Sequence, residues 1–116
     1  MADYHEDQLS EASMNASRAL KSVKEEIEAV DWYNQRVDAT NDQDLAKILA
    51  HNRDEEIEHA CMVLEWLRRN MPGWDEQMKT YLFTQGDITL LEEEGEGGEE
   101  GGEAPAGGDL AIGKIE

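Results

Sequence analysis

Glu56-Ile57-Glu58-His59 stands where a helix should be apolar. On a helical wheel turning roughly 100° per residue, Leu45, Leu49, Val63 and Leu67 fall within about 20° of Glu56. His59 falls about 60° away, on the edge of the same stripe. A carboxylate and an imidazole set one turn apart in a row of Leu and Val are costly to bury unless something satisfies them. A metal ion does so, and Glu-x-x-His lets two side chains of one helix reach one ion.

The preceding segment carries a matching intrusion. With Glu26 at zero, Ala19, Tyr33 and Val37 lie within about 20°, and Ala12 and Val30 within about 40°. Glu25 lies about 100° away and Glu28 about 160° away. Only Glu26 of these three points into the apolar stripe. Tyr33 sits two turns along the same face, where its hydroxyl is placed to hydrogen-bond a metal-bound carboxylate or water. Other readings remain open at this point. Glu56 has Arg53 as its i−3 partner, and His59 suits a hydrogen-bonded core histidine. Asp54, Glu55 and Glu58 read as a solvated face.

Outward from these stripes, the periodicity predicts an all-α fold. One long helix runs from about Leu9 to Val37, with Ala12, Ala16, Ala19, Val23, Val30 and Val37 at helical spacing. Asp38-Ala39-Thr40-Asn41-Asp42 breaks it with turn and N-cap residues. A second, antiparallel helix runs from about Gln43 to Arg69 and stops at Asn70-Met71-Pro72-Gly73. A short third helix covers Trp74 to Phe83, and one or two more turns follow from Ile88 to Glu94. Residues 1–7 read as a frayed N-terminus and 8–91 as the helical domain.

After Leu91 the composition changes. Gly and Glu dominate 92–108, too polar to offset the entropy of ordering, so this stretch reads as a disordered linker. Apolar residues return in Asp109-Leu110-Ala111-Ile112-Gly113-Lys114-Ile115-Glu116, the layout of a short docking motif on a flexible spacer.

The chain has 116 residues, enough for one small domain, and a net charge of −18 from 28 acidic and 10 basic side chains. Such a surface repels nucleic-acid phosphates and anionic lipid, and draws cations. Cys61 is the only cysteine, so no intrachain disulfide forms, and a reducing cytoplasm is the expectation. No early apolar stretch resembles a signal peptide, and no run approaches membrane-spanning length.

The ligand count predicts an oligomer. One inward Glu on one helix and one Glu-x-x-His on the next make half of a carboxylate-bridged di-iron site, which takes two of each from a four-helix bundle. Two chains related by a two-fold axis complete it, each giving Glu26, Glu56 and His59. Carboxylates with one imidazole per metal favour iron or manganese over zinc, and oxidation of Fe(II) by dioxygen is the natural reaction.

Four stretches, Glu25 to Tyr33, Ala50 to Ala60, Leu64 to Arg69 and Thr80 to Thr84, closely resemble the encapsulated ferritins. The resemblance spans about residues 9–91. Leu110-Ala111-Ile112-Gly113 also resembles that family's encapsulation peptide, typically Leu-Gly-Ile-Gly-Ser-Leu followed by basic residues. Here Ala111 replaces Gly, Lys114-Ile115 replaces Ser-Leu, and Glu116 follows in place of a basic residue. The resemblance implies dimers forming a ferritin-like four-helix bundle around a di-iron ferroxidase centre, assembled into an annular decamer. It implies location inside an encapsulin nanocompartment, where oxidised iron is mineralised, with residues 109–116 docking to the shell. Its ligands correspond to Glu26, Glu56 and His59 from both chains, with Tyr33 beside them. Glu25 and Glu28, with Trp32, correspond to a metal ingress or secondary site that accepts other divalent ions such as calcium. His51 and Glu55 match positions near metal-dependent interfaces. The competing expectation is a non-catalytic metal-binding cargo or scaffold.

Overall fold

The computed structural model describes residues 4–92. Its elements are α1 (Glu11–Ala39), α2 (Gln43–Asn70), α3 (Trp74–Tyr81) and a 3-10 turn (Ile88–Leu90). The fold is all-helical across these residues, with two long helices and a short third. These residues fall into two compact units divided after Trp74, residues 4–74 and 75–92.

In the first unit, α1 and α2 form a hairpin closed by Thr40-Asn41-Asp42. Both helices start on side-chain caps. Ser10 accepts from the Ser13 N–H at 3.1 Å, and Asp42 accepts from the Leu45 N–H at 3.0 Å. The Ser10 cap moves the start of α1 from the expected Leu9 to Glu11, since the capping residue itself stays extended. Antiparallel packing is visible in the contacts: Glu26 meets His59, and Asn34, later on α1, meets Arg53, earlier on α2.

The hairpin's interior is thin. Val23 and Ala60 are buried, and Leu67 is fully enclosed. Ile27, Ile48, Ile57 and Met62 remain between 44% and 59% exposed. The C-terminal end of α2 carries the basic pair expected at the negative pole of a helix, Arg68 and Arg69.

In the second unit α3 ends at Tyr81, two residues short of the expected Phe83. The Leu82 N–H closes the last turn on the Met78 carbonyl at 2.8 Å. Phe83 then takes the left-handed conformation (φ 60°), which no helix continues. Gly86 adopts φ 94°, and Asp87 caps the following turn by accepting from the Thr89 N–H at 3.0 Å and its hydroxyl at 2.7 Å. That turn is 3-10 over Ile88–Leu90, with Leu91 buried just after it. Apart from Glu92, the expected linker 92–108 lies outside the described residues, as does the motif 109–116.

Candidate metal centre

The hairpin register sets the acidic intrusion of α1 against that of α2. Glu26 comes from the middle of α1; Glu56 and His59 come from adjacent turns of α2. One donor atom from each lies within 4.8 Å of the others. His59 Nδ1 stands 3.7 Å from Glu26 Oε1 and 3.8 Å from Glu56 Oε1. The carboxylates are about three-quarters withdrawn from water, and the imidazole is half exposed.

The electrostatics are unbalanced. Glu26 holds its proton more tightly than an ordinary carboxyl, first because it hydrogen-bonds Glu56. Partial burial and the negative charge of Glu56 push the same way. Glu25 adds to this, and His59 opposes it. Two carboxylates forced together with one imidazole form an acceptor set short of positive charge. Oxygen donors with one nitrogen are the ligand chemistry of iron or manganese, so the residues fit such an ion.

Arg53 does not relieve the imbalance. The sequence offered it as a partner for Glu56, but its Nε donates to Asp54 Oδ1 at 3.1 Å and its Nη1 to Asn34 Oδ1 at 3.0 Å. The Asn34 bond was not foreseen, because a bond between helices depends on their register.

The other predicted residues stand outside the cluster. Tyr33 is half-buried on α1, with the Arg36 guanidinium 5.2 Å from its ring centroid. Glu25, Glu28 and Trp32 are exposed. His51 Nε2 pairs with Glu55 one turn along α2, at 3.4 Å, on the outer surface. Among the described residues no helix is long and apolar enough to cross a membrane.

Comparison with known proteins places this geometry in context. The profile of the EncFtn-like family matches residues 2–85. The chain is 59% identical to a ferritin-like protein of Thermotoga maritima, over 99% of this chain and 100% of that one. It is 55% identical to an encapsulated ferritin-like protein of Rhodospirillum rubrum, over 92% of this chain and 81% of that one. A shorter match, 37% identical over 44% of this chain and 39% of the other, is to an encapsulin nanocompartment cargo protein of Myxococcus xanthus. A crystal structure of a Nitrosomonas europaea protein superimposes with a TM-score of 0.72 at 53% identity, covering 75% of this chain and 98% of that one.

Proposed function

The chain belongs to the EncFtn-like family, and on that premise we propose that it is a ferroxidase, oxidising Fe(II) with dioxygen at a di-iron centre shared by two copies. The observation that carries this reading is the convergence of Glu26, Glu56 and His59. Three donors of this kind are half of a carboxylate-bridged di-iron set, and a two-fold axis supplies the other half. Bound iron supplies the redox chemistry, each Fe(II) giving one electron to dioxygen.

The chain's own residues divide the work. Glu56 and His59 present an oxygen and a nitrogen from one helix face. Glu26 would add a second carboxylate oxygen from the facing helix, within 4.8 Å of their donor atoms, and a cation held there would offset the charge of Glu56 that raises its pKa. The Tyr33 phenol orients carboxylate or water beside the centre. Glu25, Glu28 and Trp32 form the ingress or secondary site, where acidic side chains from neighbouring copies concentrate Fe(II) and accept calcium or another divalent ion. The assembly in this reading is a decamer of such dimers.

Relatives named as encapsulated and as encapsulin cargo support the same fate for this chain. In this reading it resides within an encapsulin nanocompartment in the cytoplasm. Residues 109–116 dock to the shell through the linker 92–108, and the oxidised iron feeds mineral storage.

Aerobic addition of Fe(II) tests the activity. The parent gives rapid growth of ferric absorbance, and Glu56→Ala and His59→Ala suppress it. Parental rates in both variants would refute the ferroxidase. Deletion of residues 109–116 leaves oxidation intact and abolishes packaging on co-expression with an encapsulin shell; normal loading of the truncated chain would refute the docking role.

A further inference from the structure

We propose that Arg53 is a positioning residue for the metal centre: bonded to Asn34 across the hairpin, it holds α1 and α2 in the register that sets Glu26 against Glu56 and His59. The inference rests on the metal-centre reading above.

The geometry is specific. From Glu26 to Asn34 is eight residues along α1, about 12 Å; from Glu56 back to Arg53 is three residues along α2, about 4.5 Å. The helices are antiparallel, so both steps lead toward the same end of the hairpin. An axial offset of about 7.5 Å remains, and the long arginine side chain covers it. Side chains on a helix lean toward its N-terminus, which for Arg53 is the direction of Asn34 and away from Glu56.

Two bonds fix the guanidinium, Nη1 to Asn34 Oδ1 at 3.0 Å and Nε to Asp54 Oδ1 at 3.1 Å. The Arg53 side chain is only 27% exposed, so this fork is partly withdrawn from water. A slip of one residue along either helix moves its side chains by about 1.5 Å and turns them by about 100°. Such a slip breaks the Asn34 bond and separates Glu26 from its partners together. The tether has a second consequence. A loose guanidinium one turn from Glu56 would offer that carboxylate a cation in place of a metal ion; Asn34 and Asp54 keep it engaged elsewhere.

The test is an oxygen-free Co(II) titration of the full chain, followed by the visible ligand-field bands. Arg53→Met and Asn34→Ala should each weaken Co(II) binding by about tenfold and alter the bands, as expected when support for a ligand is lost. Asn34→Asp, which still accepts from Arg53, should retain parental affinity and spectrum. The double variant Arg53→Met/Asn34→Ala should be no weaker than the poorer single one, because both remove the same bond. If Arg53→Met fails to fold, as judged by far-ultraviolet circular dichroism, Asn34→Ala against Asn34→Asp decides the matter at an exposed position. Parental binding and bands in Asn34→Ala would overturn the proposal, as would losses that multiply in the double variant. A parent chain that takes up no Co(II) would overturn the metal-centre reading instead.

Discussion

Two glutamates in this hairpin meet opposite electrostatic fates. At the end of α2, Glu65 accepts from Arg68 at 2.9 and 2.7 Å and from Arg69 at 2.7 Å, and its carboxyl is driven down to about 2. Mid-hairpin, Glu26 faces another carboxylate and is driven up. The Glu65 carboxylate is satisfied within one chain, with two guanidiniums in reach. The Glu26 group sets two carboxylates against one imidazole, and in the proposed function a bound cation supplies the balance. A structural ion pair and a binding site can thus be told apart by the sign of the perturbation and by what causes it.

The sharpest way to break this comparison is to neutralise each glutamate. Glu26→Gln should lower the rate of iron oxidation by about 100-fold or more, since even partners of ligands are worth 10–100-fold. Glu65→Gln should change it by less than about twofold. Stopped-flow ferric absorbance measures both, and equal effects would erase the distinction.

Metal itself should act on one region only. Co(II) at a hundred times its Kd contributes about 2.7 kcal/mol to the native state, a rise in Tm of roughly 10–20 °C for a domain of this size. Glu65→Gln should keep that rise, and His59→Ala should lose it, in metal-titrated thermal scans.

The smallest effects are on the metal-free protein, and they have opposite signs. The Glu65 pKa is lowered from the ordinary 4.5 to about 2. Its ion pairs therefore stabilise fully above 4.5, and their contribution is lost as pH falls from there toward 2. The side chain is 42% exposed, so solvent screening limits the contribution to about 1 kcal/mol or less. Glu65→Gln should lower Tm by a few degrees at pH 7 and by much less near pH 2. Glu26, with its pKa raised, opposes folding once it ionises; Glu26→Gln should raise the Tm of metal-free protein at pH 7. Calorimetry at the two pH values separates the cases.

Local chemistry made most of the fold legible in the sequence. Asp42 announces the start of α2 at Gln43, and the Asn-Met-Pro-Gly stretch announces its end. The 3.6-residue period singled out Glu26 from Glu25 and Glu28, and these two are indeed exposed while Glu26 is half-buried. What depends on one helix's height against the other was not legible. The Arg53–Asn34 bond joins residues 19 apart, and the raised pKa of Glu26 arises only when the two helices bring Glu56 against it. The stop at Tyr81 was missed because nothing local to Leu82-Phe83 resembles a turn signal; the left-handed Phe83 is 93% exposed, and the Thr84 hydroxyl spans it to the Tyr81 carbonyl at 2.7 Å.

The thin interior of the hairpin has a consequence for how long a chain survives alone. Isoleucines left about half in water, such as Ile27 and Ile48, withhold much of the stabilisation that burial would give them, roughly 25 cal/mol for each Å². In the proposed dimer that stabilisation is collected between copies, so abundance becomes a thermodynamic variable. Diluted, the chain should melt at a lower temperature and be digested faster by proteases; crowded together, it should persist.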